Sequence, residues 1–283
     1  MLDEKHEALP TPSTDDNNYA LGQIGHHNVV IAGLPFGRTG LTSAARVAEQ
    51  MRGTFTSIRF GLMVGIGGGV PSKENDIRLG DVVVSKPDDA SGGVIQYDFG
   101  KTVQEGRFVR TGSLNRPSDV LLNAIAKLNA QHMLDIHFVD RLAHIRLTSL
   151  TSSFSGTSGN QVIKDGRTRE RIRRELNVMR FEMEAAGLMD KFPCLVVRGV
   201  CDYADSHANK QWQDYAAATA AAYAKELLEI IPGVLVAFAP HANALMVDQS
   251  SSETSTTTAT FYNKDKVVNQ ALTQKFYGTM TFN

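Results

Sequence analysis

Apolar residues along this chain come in two rhythms. Unbroken apolar runs alternate with stretches in which apolar positions recur every three or four residues. The runs predict strands. "HNVVIAG" from residue 27 reads as a buried strand, and "GDVVVSKP" as another, ended by Pro87. "PCLVVRGVC" is apolar at nearly every position, as in a strand covered on both faces. "FGLMVGIGGGVP" reads as a strand running into a glycine-rich turn, while "GVIQYDFG" and "GRFVRTG" predict shorter strands that form a hairpin or a neighbouring pair. The periodic stretches predict helices. Leu41, Ala44, Ala45, Ala48 and Met51 share one face and Gly53 stops it. Leu121, Leu122, Ile125 and Leu128 share another, with Ser118 or Asp119 as N-cap. "KDGRTRERIRREL" predicts a basic helix with a solvated face, and an Ala-rich helix runs from His207 to Pro232 and Gly233.

Strands alternating with helices imply an α/β fold: a single three-layer domain with a central mixed sheet flanked by helices. Residues 21–238 form that domain. Residues 1–20 are polar and predict a poorly ordered start, and residues 239–283 a low-complexity linker ("SSSETSTTTAT") with a polar tail suited to self-assembly. Residues 131–158 follow neither rhythm.

Composition narrows the partners. With 42% hydrophobic and 21% charged residues the chain can bury a sizeable core, and a net charge of -1 favours neither nucleic acid nor an anionic membrane. The longest apolar run contains Pro232 and Gly233 and is too short to span a bilayer, and no basic segment precedes an apolar one at the start. Cys194 and Cys201 lie on one strand, about 23 Å apart, which forbids a disulfide. A reducing, cytoplasmic setting follows. His26 and His27 read as a loop pair, and His132, His137 and His144 lack partners at metal spacing, so no metal is assigned.

Four acids stand in otherwise core-like sequence: Glu182, Glu184, Asp202 and Asp205 in "RFEMEAAGLMDKFPCLVVRGVCDYAD". If "FEMEAAG" starts a helix, Glu182 and Glu184 point about 200° apart. One could then enter a pocket and hold vicinal hydroxyls, or both could simply meet the helix dipole. Asp202, just past a buried strand, could donate a proton to a leaving group or serve as a turn cap. "GIGGGVP" could bare its backbone to a ligand or allow tight packing; it has neither the P-loop nor the dinucleotide order.

In combination, "GIGGGVP", "SGNQVIKDG", "FEMEAAGLMDKFPCLVVRGVCDYADSH" and the Ala-rich last helix resemble the purine nucleoside phosphorylase and nucleosidase family, the nucleoside phosphorylase-I superfamily. The likeness covers residues 20–130 and 156–233 and is greatest to the fungal branch found in immune-receptor-like proteins. It implies cleavage of the N-glycosidic bond of a purine nucleoside or nucleotide, with water or phosphate as the attacking group, in a homo-oligomer with no cofactor. By this resemblance Glu184 holds the ribose hydroxyls, Met183 lies against the sugar and Asp202 assists departure of the purine. Glu182 joins the substrate-binding set, Val162 and Ile163 meet the base, Gly67 and Gly68 lie beneath the nucleoside, and Arg38 contacts phosphate.

The chain also departs from the family pattern. The family's first strand, and the acid that follows it in hydrolytic members, have no counterpart before "MLDEKHEALP", and "DIHFVDRLAHIRLTSLTSSFSGT" replaces a longer segment. These departures imply impaired cleavage, or a catalytically silent nucleoside-binding or regulatory domain.

Overall fold

The computed structural model describes residues 2–88, 91–134 and 155–240, and by backbone residues 260–263 and 266–269. The chain divides into two compact units, Met1–Ala242 and Asn243–Asn283. In the first, β1 (Glu4–His6), β2 (Tyr19–Ile24) and β3 (His27–Ala32) form an antiparallel sheet in that order. After α1 (Leu41–Thr54) come β4 (Gly61–Gly69), β5 (Val82–Val84), β6 (Val94–Gln96), β7 (Gly100–Thr102), β8 (Phe108–Arg110) and α2 (Asp119–Leu134). Then follow β9 (Ser155–Ser158), α3 (Gly166–Leu176), β10 (Val178–Glu182), α4 (Ala186–Met189), β11 (Cys194–Asp202), α5 (Gln213–Ile230) and α6 (Gly233–Phe238). Within the second unit, β12 (Thr260–Asn263) and β13 (Lys266–Asn269) form an antiparallel pair. The nonperiodic residues 135–154, and with them His137 and His144, lie outside the described residues.

The main sheet is mixed, with strand order β5-β11-β4-β10-β9-β6. β11 is its pivot. Residues Cys194–Cys201 are all buried, as an apolar run between two helical layers requires. On one face Leu195 and Val197 pack with Ala220, Tyr223 and Leu227 of α5 and with Leu121, Ile125 and Leu128 of α2. On the other, Cys194 and Val196 pack with Ala44 and Ala48 of α1 and with Leu188 and Met189 of α4. α5 lies directly on the backbone of β11: a Cβ on Gly199 would sit 1.9 Å from the Ala216 carbonyl. Only glycine fits there.

Several expectations need correction. Residues 1–20 contain β1 and the start of β2, and Asp15 is buried and accepts hydrogen bonds from Tyr19 and Thr54. The polar composition had masked an edge strand, which needs no apolar face. β3 is not a buried strand, since Ile31 is 38% exposed. His27 is not in a loop: it opens β3, is buried, and donates Nε2–H to the Ile231 carbonyl at 2.8 Å. "GIGGG" is strand throughout, because β11 supplies a ladder that holds even glycines extended. "GRFVRTG" pairs with Gly100–Thr102 rather than with "GVIQ". The Ala-rich helix begins at Gln213, six residues beyond His207.

Among the described residues, one edge within the sheet is open. β11 runs parallel to β4 along its whole length, but β10 pairs with β4 only at Gly68 and Gly69. Among the described residues, Gly61–Gly67 therefore have a strand neighbour on one side only. Val64 is 36% exposed while Val197, its register partner on β11, is fully buried. Alternate amides within residues 62–66 are expected to exchange with deuterated solvent well ahead of those of residues 196–200; uniform protection along β4 would show a second strand in place.

Candidate active site

Of the four acids, Glu182 and Glu184 meet Arg198, whose guanidinium lies over Gly65, Asp202 lies beside Gly68, and Asp205 pairs with Arg169 of α3. Glu182 is the last residue of β10, not the first of a helix, so it and Glu184 are placed by a strand end and the turn that follows. The Glu182 side chain is 1% exposed, and its Oε2 accepts from Arg198 Nη2 at 2.8 Å and from Glu184 N at 3.0 Å. Ala185 N donates to the same carboxylate, which orders the entry to α4. Burial opposes the charge, but the Arg198 and Arg180 guanidiniums and the backbone donors outweigh it and hold the carboxyl below the usual glutamate range.

Glu184 differs. Its side chain is 14% exposed; Oε2 lies 3.2 Å from Arg198 Nη2, and the Gly40 and Met183 amides also face it. Burial pushes its pKa above the ordinary glutamate value, Arg198 pulls against that, and the Glu182 charge adds to the rise. Of the two acids, Glu184 is the one that reaches solvent.

Asp202 ends β11, where the pairing with β4 shifts register between Val200 and Asp202. Its Oδ1 accepts from Ala204 N at 2.8 Å, closing a turn that puts Ala204 at φ 51. The Cys201 thiol lies 3.5 Å from Oδ2, and burial pushes that thiol up to about 12, so it stays neutral. A Cβ on Gly68 would come within 2.9 Å of Asp202 Oδ1, and one on Gly67 within 2.7 Å of the Phe181 carbonyl.

The remaining predicted residues are more dispersed. Ile163 is buried with Val70, Phe181 and Ala204, which places it beside the Asp202 turn, whereas Val162 is 59% exposed. Their loop is held by Asn160 N to Asp98 and by the Tyr97 hydroxyl to the Gln161 carbonyl. Met183 is half-buried between the two glutamates. Arg38 is exposed, in the loop that leads to Gly40. On α3, Arg173 and Arg174 pair with Glu170, whose pKa they lower to about 2, and Arg171 pairs with Glu175. That is the solvated, self-neutralised face expected of the basic helix.

Two arginines were not anticipated. Arg198 stands in mid-strand, 5% exposed, and Arg180 is fully buried, donating to Ser85 Oγ. Burial lowers the Arg180 pKa to about 10. A lone arginine inside "CLVVRGVCD", two strands from an acid pair, was the available signal: a cation in a fully covered strand requires a carboxylate.

No family model matches the chain. In the solved structure of a Helicobacter pylori 5'-methylthioadenosine/S-adenosylhomocysteine nucleosidase mutant, with 5'-methylthioadenosine in the active site, the fold superposes with TM-score 0.59 at 18% identity, over 81% of this chain and 90% of that one. Futalosine hydrolase of the same organism gives 0.56 at 21% identity, over 81% and 89%. The chain thus has the nucleoside phosphorylase/nucleosidase fold. Among sequences, a nucleotide-binding leucine-rich repeat (NLR)-like protein of Hyaloscypha variabilis is 48% identical over 275 residues, 82% of this chain, and fits the fungal branch. This chain spans only 28% of that protein's length. A 5'-methylthioadenosine/S-adenosylhomocysteine nucleosidase of Mycobacterium tuberculosis is 26% identical over 239 residues, 75% of this chain and 84% of that enzyme.

The two glutamates should respond oppositely to pH. Glu182 has a depressed folded pKa, so its contribution to stability is complete above the ordinary 4.5 and is lost as pH falls below it. Glu184 has a raised one, so stability is lost as pH rises from 4.5 through its folded pKa. In urea unfolding at pH 7, Glu182→Gln is expected to cost about 3–5 kcal/mol by taking from the buried Arg198 its nearer carboxylate. Glu184→Gln is expected to stabilise at pH 7, with the gain vanishing at pH 4.

Proposed function

We propose that this domain binds a purine nucleoside or nucleotide and cleaves its N-glycosidic bond. One observation supports the reading: two carboxylates are placed at positions along the glycine-rich half of β4. Arg198, in register with Gly65, holds Glu184, and Asp202 is in register with Gly68, three residues or about 10 Å further along the strand. A glycine-rich strand end with acids on its neighbours suits a hydroxylated ligand.

The roles follow from the charges that develop. As the bond from C1′ to the base nitrogen breaks, positive charge grows on the ribose ring and negative charge on the base. Glu184 accepts from the ribose hydroxyls and meets the first, while Asp202 passes a proton to the purine and relieves the second. Water adds to C1′ as the bond to the base breaks, and the proton it sheds restores the one Asp202 gave, leaving ribose and free base; in the sister reaction phosphate adds instead and leaves ribose 1-phosphate. Glu182 anchors the turn that carries Met183 and Glu184, Ile163 packs beneath the base, Val162 covers it, and Gly67 and Gly68 form the floor. Arg38 serves a phosphate. The activities of the similar nucleosidases support this assignment.

A second reading is a domain that binds nucleoside without turning it over, as part of an immune-type receptor. The Asp202 geometry favours it, because Oδ1 is already engaged by Ala204 N. On either reading the proposal includes a homo-oligomer in the cytoplasm, and the two free, buried thiols accord with a reducing compartment. Among the described residues no helix is long and apolar enough to cross a membrane.

Incubation with adenosine, inosine and ATP, with and without phosphate, tests both. We expect slow release of free base, and Asp202→Asn should reduce it by about 10²–10⁴-fold while calorimetric binding persists. Release without phosphate indicates hydrolysis, and release only with phosphate indicates phosphorolysis. Binding without release selects the second reading, and absence of binding sinks both.

A further inference from the structure

We infer that Arg198 is a positioning residue: it holds the Glu184 carboxylate ionised and aimed at the sugar site, and Gly65 is bare to seat it. What Glu184 binds rests on the nucleoside reading above; what Arg198 does rests on the geometry and charges within this chain.

Three observations converge. First, Arg198 does not reach solvent. Its guanidinium lies over β4, and a Cβ on Gly65 would fall 2.1 Å from Nη1. Any side chain at 65 would evict it. The glycine therefore has a reason that involves no direct contact with a ligand.

Second, one nitrogen serves two acids of different standing. Nη2 lies 2.8 Å from Glu182 and 3.2 Å from Glu184. Glu182 has further donors in Glu184 N and Ala185 N and is sealed from water. Its charge does not depend on Arg198 alone. Among the side-chain hydrogen bonds and ion pairs of the described residues, Glu184 has Arg198 as its one side-chain partner.

Third, the other groups around Glu184 do not replace that cation. From β10, Glu182 repels its charge and Arg180 attracts it; from the α1 entry only the Gly40 amide faces it, and the Met183 amide is 3.4 Å away. Cys194, on the same face of β11, is buried and raised to about 12, so it is neutral. Without Arg198, burial and Glu182 both favour a protonated Glu184, which would no longer be an acceptor-only group for a diol.

The test reads Glu184 itself in nucleoside-free protein. Side-chain carboxyl carbons are labelled with carbon-13 and titrated by NMR, with Glu184→Gln assigning the resonance. In Arg198→Met the Glu184 midpoint is expected to rise by at least about one pH unit, a tenfold shift in its protonation equilibrium. Gly65→Ala should move it the same way with Arg198 still present, and Arg198→Lys should recover part of the shift, supplying charge without the planar fork. Should Arg198→Met fail to fold, the other two variants carry the test. An unchanged or lowered midpoint in the variants that fold overturns the inference.

A second measurement separates positioning from simple structure. Adenosine affinity of Arg198→Lys, followed by calorimetry across pH, should be weakest at low pH and approach wild type as Glu184 ionises. A loss equal at every pH would assign Arg198 a structural role only and overturn the inference. If wild-type protein binds no adenosine, the nucleoside reading fails, and the carboxyl titration still decides the role of Arg198.

Discussion

A guanidinium placed in the middle of a covered strand governs the rest of this site. Removing Arg198 from water costs several kcal/mol unless a carboxylate meets it with good geometry. Glu182 does so at 2.8 Å. That pair then fixes what surrounds it. Glu182 can face Arg198 only if β10 ends there, and its remaining acceptor capacity collects the Glu184 and Ala185 amides, which starts α4. α4 packs on α1, and α1 begins at Gly40, whose amide returns to Glu184. One buried charge thus links two strands, two helices and the loop between β3 and α1.

The same sheet supplies the second acid by a different device. β11 is regular until Val200, then shifts register by one residue against β4. A shift of this kind re-aims the side chains beyond it. Asp202 comes to lie beside Gly68 rather than continuing the row of Val196 and Arg198, and the left-handed Ala204 closes the turn. Regular pairing places Arg198, and its interruption places Asp202.

How much of this was legible in sequence depended on the rhythm of each segment. β11, α1, α2 and α5 were readable because one strong pattern, a continuous run or a helical stripe, coincided with burial. β1 and the start of β2 were not, because an exposed edge strand carries no apolar signature. The positions of Glu182, Glu184 and Asp202 could be named, but not their elements. "FEMEAAG" contains good helix formers, and β10 and the Arg198 contact override that propensity for its first residues. The glycines of β4 resemble a turn to any local rule; a parallel ladder of eight residue pairs, formed with a strand more than 130 residues away, makes them extended. Arg198 itself was visible and passed over, since an arginine in an apolar run has meaning only beside the acids it will meet.

Among the described residues, most of β4 hangs from a single ladder. β4 has glycine at five of its nine positions and, among the described residues, strand company from Gly61 to Gly67 on the β11 side alone. A strand so sparsely furnished has little side-chain volume to resist displacement, and its rigidity is borrowed from β11. Any displacement of β11 is therefore passed to β4, Arg198 and Asp202 together, so the two acids are mechanically coupled through the backbone they share.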